Sequence, residues 1–220
     1  MDVATTYEGR SMSSSSPALY VPAQREGRTR ATFPIEDRRG IYGMYTVIAT
    51  ELSLFICLFA SYYFLGGNKD RWAVDQPPKL HYALIMLVVL LASSAVLVWG
   101  ERQLSLQRQG AARAAIFVTV LIGLGFLVLQ SLEYTEHWKT LTPASDSYGS
   151  IFYTITAFHG AHVIMGLLLL AYVGILPRYG PTIAPPYRPY RVVSLYWHFV
   201  DIVWVVIVAL LYVVPNLQAR

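Results

Sequence analysis

Charged residues are scarce in this chain. Asp, Glu, Lys and Arg make up 14% of its 220 residues, against about 25% in a soluble domain. Hydrophobic residues reach 55%, and the mean hydropathy is +0.44. Too few charges to solvate a globule of this size point instead to a membrane protein. Cysteine is nearly absent as well: Cys57 is the only one, and it lies within an apolar run. A single thiol excludes an intrachain disulfide and a cysteine-based metal site. The first 40 residues are polar, with a serine run at Ser13–Ser16 and scattered arginines. They lack the apolar segment of a cleavable signal peptide and read as a flexible tail. No internal repeat of the kind that marks transporters built from duplicated halves is visible.

What the chain has is apolar length. Five stretches, about 42–65, 81–99, 114–132, 150–176 and 193–214, can each cross about 30 Å of hydrocarbon at 1.5 Å per residue. Breakers separate them: Gly66-Gly67, Pro77-Pro78, Gly110, Pro143 and the segment PRYGPTIAPPYRPYR ending at Arg191. The last stretch is rich in valine, but an isolated strand would leave its backbone unpaired in lipid, so helix is expected. The expected fold is all-α, a five-helix transmembrane bundle over 41–220 behind the tail at 1–40.

The net charge of +4 and pI near 9.2 would suit a nucleic-acid partner, but the arginines fit membrane orientation better. With the N-terminus inside, twelve of the 17 Lys and Arg residues fall on the cytoplasmic side, in the tail, the second loop and the fourth. Lys69, Arg71, Lys79, Lys139 and Arg220 fall outside. That asymmetry predicts a cytoplasmic N-terminus and a periplasmic C-terminus, and no nucleic-acid partner.

Ionisable residues interrupt the apolar runs at four places: Glu51 in the first, Glu133 closing the third, His159 and His162 in the fourth, and His198 with Asp201 in the fifth. A charge at a helix centre costs roughly 2.5–3.5 kcal/mol, and each Val, Ile, Leu or Phe offsets about 0.3–0.6 kcal/mol of that. The fifth run therefore still inserts, and its polar groups are expected to face the bundle interior. Counted along the helices, Glu51 lies about 13 Å, Asp201 about 12 Å and His198 about 7 Å from the cytoplasmic ends of their runs. His162 lies about 18 Å from the outer end of its own. These depths make an acid–imidazole cluster in the cytoplasmic half geometrically possible. Glu133, with Glu136 and His137 nearby, is placed at the outer interface and open to solvent. Three roles fit the cluster: a hydrogen-bonded lock between helices, a proton-conducting or proton-buffering group, or ligation of metal or haem. For the last, no further ligand stands at a typical metal-site spacing, although His159 or His162 could pair with His198 across two helices.

At these residues the chain resembles subunit III of the haem–copper terminal oxidases, chiefly cytochrome c oxidase. The resemblance rests on ATELSLFICLFASYYF, on LQSLEYTEHW leading into SYGSIFYTITAFHGAHVIMG, and on YWHFVDIVW, in that order over residues about 40–215. It implies a subunit without a catalytic site or metal site of its own. Haem and copper belong to partner subunit I, and cytochrome c electron entry to subunit II. It implies a subunit III that packs on subunit I, binds phospholipid and helps sustain proton uptake, with further small subunits or a respiratory supercomplex as additional partners the resemblance allows. The family's carbodiimide-reactive glutamate maps onto Glu51, and its last-helix histidine and acid onto His198 and Asp201. Many relatives have seven helices, with lipid held in a cleft after the second. The five here match the last five, so that cleft is missing or completed by another subunit. The expected home is a bacterial cytoplasmic membrane. A quinol oxidase or nitric oxide reductase complex is the alternative within the fold; a proton-coupled transporter and a di-haem cytochrome are the rivals outside it.

Overall fold

The computed structural model describes residues 39–67, 79–138, 142–143, 147–175 and 187–218. Among the described residues there is no strand. The helices are α1 (Arg39–Gly67), α2 (Leu80–Ser105), α3 (Gln109–His137), α4 (Ser147–Ile175) and α5 (Tyr187–Ile207). The last continues through a π-helical segment, Val208–Val213, into α6 (Val214–Gln218). Five of these runs are long and apolar enough to cross a membrane, the fifth being the continuous Arg188–Leu217. The expected tail lies outside the described residues, apart from Arg39 and Gly40, which open α1.

The helices outlast the apolar runs that announced them. Hydropathy stops at the first charged turn, whereas backbone hydrogen bonding continues for as long as the residues tolerate a helix. The clearest difference is at the start of α5. There Tyr187, Arg188 and Pro189, read from the sequence as loop, form the first turn. A proline fits there because the first N–H groups of a helix have no intrahelical partner to lose.

Helices α2, α3, α4 and α5 close into a ring: α2 packs on α3, α3 on α4, α4 on α5, and α5 on α2. Helix α1 lies outside that ring against α4 and α5; its fully buried residues are Phe55 and Tyr62. The centre belongs to α5, whose Trp197 and Trp204 are completely enclosed. The Trp197 indole N–H donates to Ser93 Oγ of α2 at 2.9 Å. Its ring lies where a side chain on Gly123 of α3 or Gly166 of α4 would begin: a Cβ at either would come within 2.9 Å of the ring. Small residues that let a large ring approach another backbone are a usual solution where lipid offers no hydrophobic drive between helices.

At the far end of the fifth span, Pro215 accounts for the π-helical segment. It has no N–H to give to the carbonyl of Leu211, four residues back, or of Leu210, five back, and its ring crowds the former. The helix widens over Val208–Val213 instead. Neither carbonyl is left alone, because Tyr148 of α4 donates to Leu211 O at 2.9 Å and Tyr62 of α1 to Leu210 O at 3.2 Å. The break in α5 thus becomes a tie to two other helices.

Two outcomes are expected from denaturant unfolding of the chain in detergent micelles. Gly123→Val should lower stability by roughly 1–3 kcal/mol through overpacking against Trp197 and Leu167, while Gly125→Val, with nothing near its Cβ, should change little. Tyr148→Phe should cost about 1–3 kcal/mol by leaving a buried carbonyl without its donor. That cost should shrink in a Pro215→Ala background, where the restored N–H can take the carbonyl.

Candidate functional site

The ionisable residues sort into three places. At mid-height on the outer face of the ring, Glu51 of α1 meets His162 of α4, with Oε2 and Nε2 2.9 Å apart. The other imidazole nitrogen, Nδ1, lies 2.6 Å from the Phe158 carbonyl of its own helix. A carbonyl only accepts, so Nδ1 carries a hydrogen. The buried Phe55 ring closes on His162 edge-first, with centroids 5.0 Å apart. The Glu51 side chain is 33% exposed and His162 12%, so the acid looks partly outward from the bundle.

The second place lies on the inner side of α5. Ser194 Oγ is 3.3 Å from His198 Nε2, and His198 Nδ1 is 2.6 Å from Ser94 Oγ. Ser94 Oγ in turn donates to Asp201 Oδ2. The single Ser94 hydrogen goes to the carboxyl, so His198 Nδ1 must be the donor to Ser94. That leaves Nε2 to accept from Ser194. Asp201 is only 4% exposed, and its Oδ1 has no hydrogen-bond partner. Helical spacing puts Ser194, His198 and Asp201 on one stripe of α5, and α2 supplies the missing hydroxyl. Above this string a cavity of about 190 Å³ is lined by Ile41, Tyr45, Glu101, Arg191, Ser194, Leu195 and His198. Across it Arg191 and Glu101 pair at 3.8 Å.

The third place is at the opposite end of the bundle and corrects an expectation. Glu133 is not a solvated acid. It is 1% exposed, it accepts a hydrogen bond from Tyr212 at 3.1 Å, and its Oε1 has no hydrogen-bond partner. His137 Nδ1 lies 4.0 Å from that oxygen. Counting residues to the helix end gave depth but not direction. Glu133 continues the inward stripe Thr119, Gly123, Phe126, Gln130, and the neighbouring Glu136 alone turns outward, to pair with Lys79. The spacings of three and four after Phe126 carried that signal in the sequence. Beside it Gln130 donates to the Thr156 carbonyl at 2.9 Å, and Tyr134 donates to Thr156 Oγ1 at 2.7 Å.

The structure therefore does not gather Glu51, His198 and Asp201 into one cluster. Their depths agree, but α1 offers Glu51 to α4 while α5 turns Asp201 towards α2. His159 and His162 also part: His159 is completely buried, stacked on Trp204 at 4.9 Å and edge-on to Phe126 at 5.8 Å. Neither of its ring nitrogens has a hydrogen-bond partner. Among the described residues no three His, Cys, Asp or Glu side chains converge as metal ligands do. Ser94, Glu101, Arg191 and Tyr212, which complete these sites, carry no motif of their own and become visible only through their partners.

Comparison with known proteins bears on what this arrangement serves. The family model for cytochrome c oxidase subunit III matches residues 19–215. The chain belongs to the cytochrome c oxidase subunit III family. Curated relatives called cytochrome c oxidase subunit 3 include those of Latimeria chalumnae, 31% identical over 78% of this chain and 68% of the relative, and of Pan troglodytes, 30% identical over 86% and 75%. The human protein is 31% identical over 78% and 68%. Members of this subunit III family are components of an oxidase that contains other subunits, and the five apolar spans make this one a multi-pass membrane protein.

Treatment of the full chain in lipid with an apolar carbodiimide, followed by peptide mass mapping, should label Glu51 ahead of Asp201 and Glu133. Its one-third exposure at the bundle surface gives the reagent access that the enclosed acids deny.

Proposed function

We propose that this chain is a non-redox accessory subunit of a proton-translocating haem–copper oxidase. It stabilises the catalytic subunit I, holds phospholipid and supports proton uptake, and it sits beside subunit II in a bacterial cytoplasmic membrane. The observation that carries this reading is the family match across nearly the whole bundle, together with polar groups that are committed to one another. His162 is taken by Glu51, His198 by Ser94 and Ser194, and the faces of His159 by Trp204 and Phe126. Residues so engaged suit helix-to-helix locking better than an open ligand site. Haem and copper accordingly belong to the partner subunits, and this chain contributes no catalytic residue.

The end of the bundle where α1 and α5 begin, with the Arg191–Glu101 cavity, is the cytoplasmic side in this proposal, following the positive-inside rule. Whether electrons arrive from cytochrome c or from quinol is decided on the partner subunits, in an oxidase or in the alternative quinol oxidase or nitric oxide reductase complex.

Purification of the tagged chain from its native membrane should bring down a haem-bearing subunit and retained phospholipid, while the isolated chain should show no stoichiometric Soret band. A Soret band belonging to this chain would count for the di-haem alternative. Glu51→Ala or Asp201→Ala should leave the complex's optical spectra intact, and should weaken assembly or shorten the active lifetime under turnover. Total loss of oxidase activity in a normally assembled complex would contradict the accessory role.

A further inference from the structure

The inner string contains more than a lock between α2 and α5 needs. Its outer end, His198 and Ser194, lines the cavity of about 190 Å³. At roughly 30 Å³ each, several water molecules fit there. Its inner end, Asp201, is enclosed and keeps one carboxyl oxygen without a hydrogen-bond partner. Between them every hydrogen has an assigned direction: Ser194 donates to Nε2, Nδ1 donates to Ser94, and Ser94 donates to Asp201. A mechanical lock would be served by a direct contact between two helices. It would not require an imidazole joined through Ser194 to a polar cavity and through Ser94 to a buried acid.

We propose that this cavity and the string behind it form a proton inlet, in which Ser194 and His198 take protons from cavity water and pass them through Ser94 to Asp201. The transfer balances along the observed bonds. Ser194 Oγ accepts a proton from cavity water as its own hydrogen passes to Nε2, Nδ1 releases its hydrogen to Ser94 Oγ, and the original Ser94 hydrogen moves to Asp201 Oδ2. The carboxylate becomes a neutral carboxylic acid, and one hydroxide, or one water if the donor was hydronium, remains in the cavity. Return of the imidazole to its starting tautomer readies the next transfer. The charged and titratable groups around the path come from four helices. Tyr45 enters from α1, Glu101 from α2 and Arg191 from α5, the last two offsetting each other as an ion pair. From α4, His162 is held by Glu51 and His159 lies in its aromatic stack. The inlet rests on the accessory-subunit reading only for the complex it would serve; the chemistry belongs to this chain alone.

The test is infrared spectroscopy of the full chain in lipid nanodiscs transferred to D₂O. The protonated carboxyl band of Asp201 is assigned by its loss in Asp201→Asn. Its hydrogen–deuterium exchange should slow about tenfold or more in Ser94→Ala, which removes the hydroxyl relay, and should recover in Ser94→Thr. Ile41→Trp, which fills the cavity and leaves every bond of the string in place, should slow it as well. Equal exchange rates in the parent and Ser94→Ala chains would overturn the inlet, as would the lack of a protonated Asp201 band at any pH. If Ser94→Ala does not fold, unchanged exchange in Ile41→Trp overturns it alone. Co-purification with a haem-bearing subunit, scored on the same preparations, reports separately on the proposed function and does not bear on the exchange rates.

Discussion

The packing of Trp197 is the constraint on which the rest of this bundle depends. One indole donates to α2 through Ser93 and occupies the space beside Gly123 of α3 and Gly166 of α4, so a single ring sets α5 against three helices. It also sets register. Trp197 bonds Ser93, and the next residue, His198, bonds Ser94. A slip of α5 by one residue would break both contacts. In hydrocarbon, where unpaired polar groups have no water to fall back on, such double pairing strongly favours one arrangement over its neighbours.

With α5 fixed, polar chemistry separates to the two ends of the bundle. The end where α1 and α5 begin carries the cavity, the Arg191–Glu101 pair and the string to Asp201. At the other end, Pro215 widens the helix, and Tyr62 and Tyr148 take up the carbonyls it frees. The same widened segment carries Tyr212, the donor to Glu133. Both ends follow one physical rule: an interruption in an apolar helix is tolerated where a neighbouring helix can supply the missing partner. Helix α1 takes part in each, through Tyr45 at one end and Tyr62 at the other, with the Glu51–His162 pair between.

Locking and proton transfer are not competing uses of these bonds. A hydrogen-bonded string that holds α2 to α5 is already the geometry along which a proton can move, provided one end reaches water and the other can accept charge. The Glu51–His162 pair lacks that layout, since its histidine spends Nδ1 on its own helix. Within a family whose members are subunits of cytochrome c oxidase, the inner string is the part of this chain with a chemical as well as a mechanical reading.

The sequence by itself determined five membrane-length helices, because apolar length is a local property and hydrocarbon thickness is fixed. It also marked Glu51, His159, His162, His198 and Asp201 as residues that needed partners, since an ionisable group in lipid is costly wherever it points. Depth along each helix was legible too, from the constant rise per residue. Azimuth and register were not. Whether Asp201 meets Glu51 or Ser94, and whether Glu133 faces solvent or Tyr212, depends on how each helix is rotated against the next. That rotation is decided by contacts between residues far apart in the chain, such as Trp197 with Ser93, Gly123 and Gly166. Ser94 and Tyr212 are ordinary residues in their own segments, and the tertiary structure makes them the partners of two buried acids.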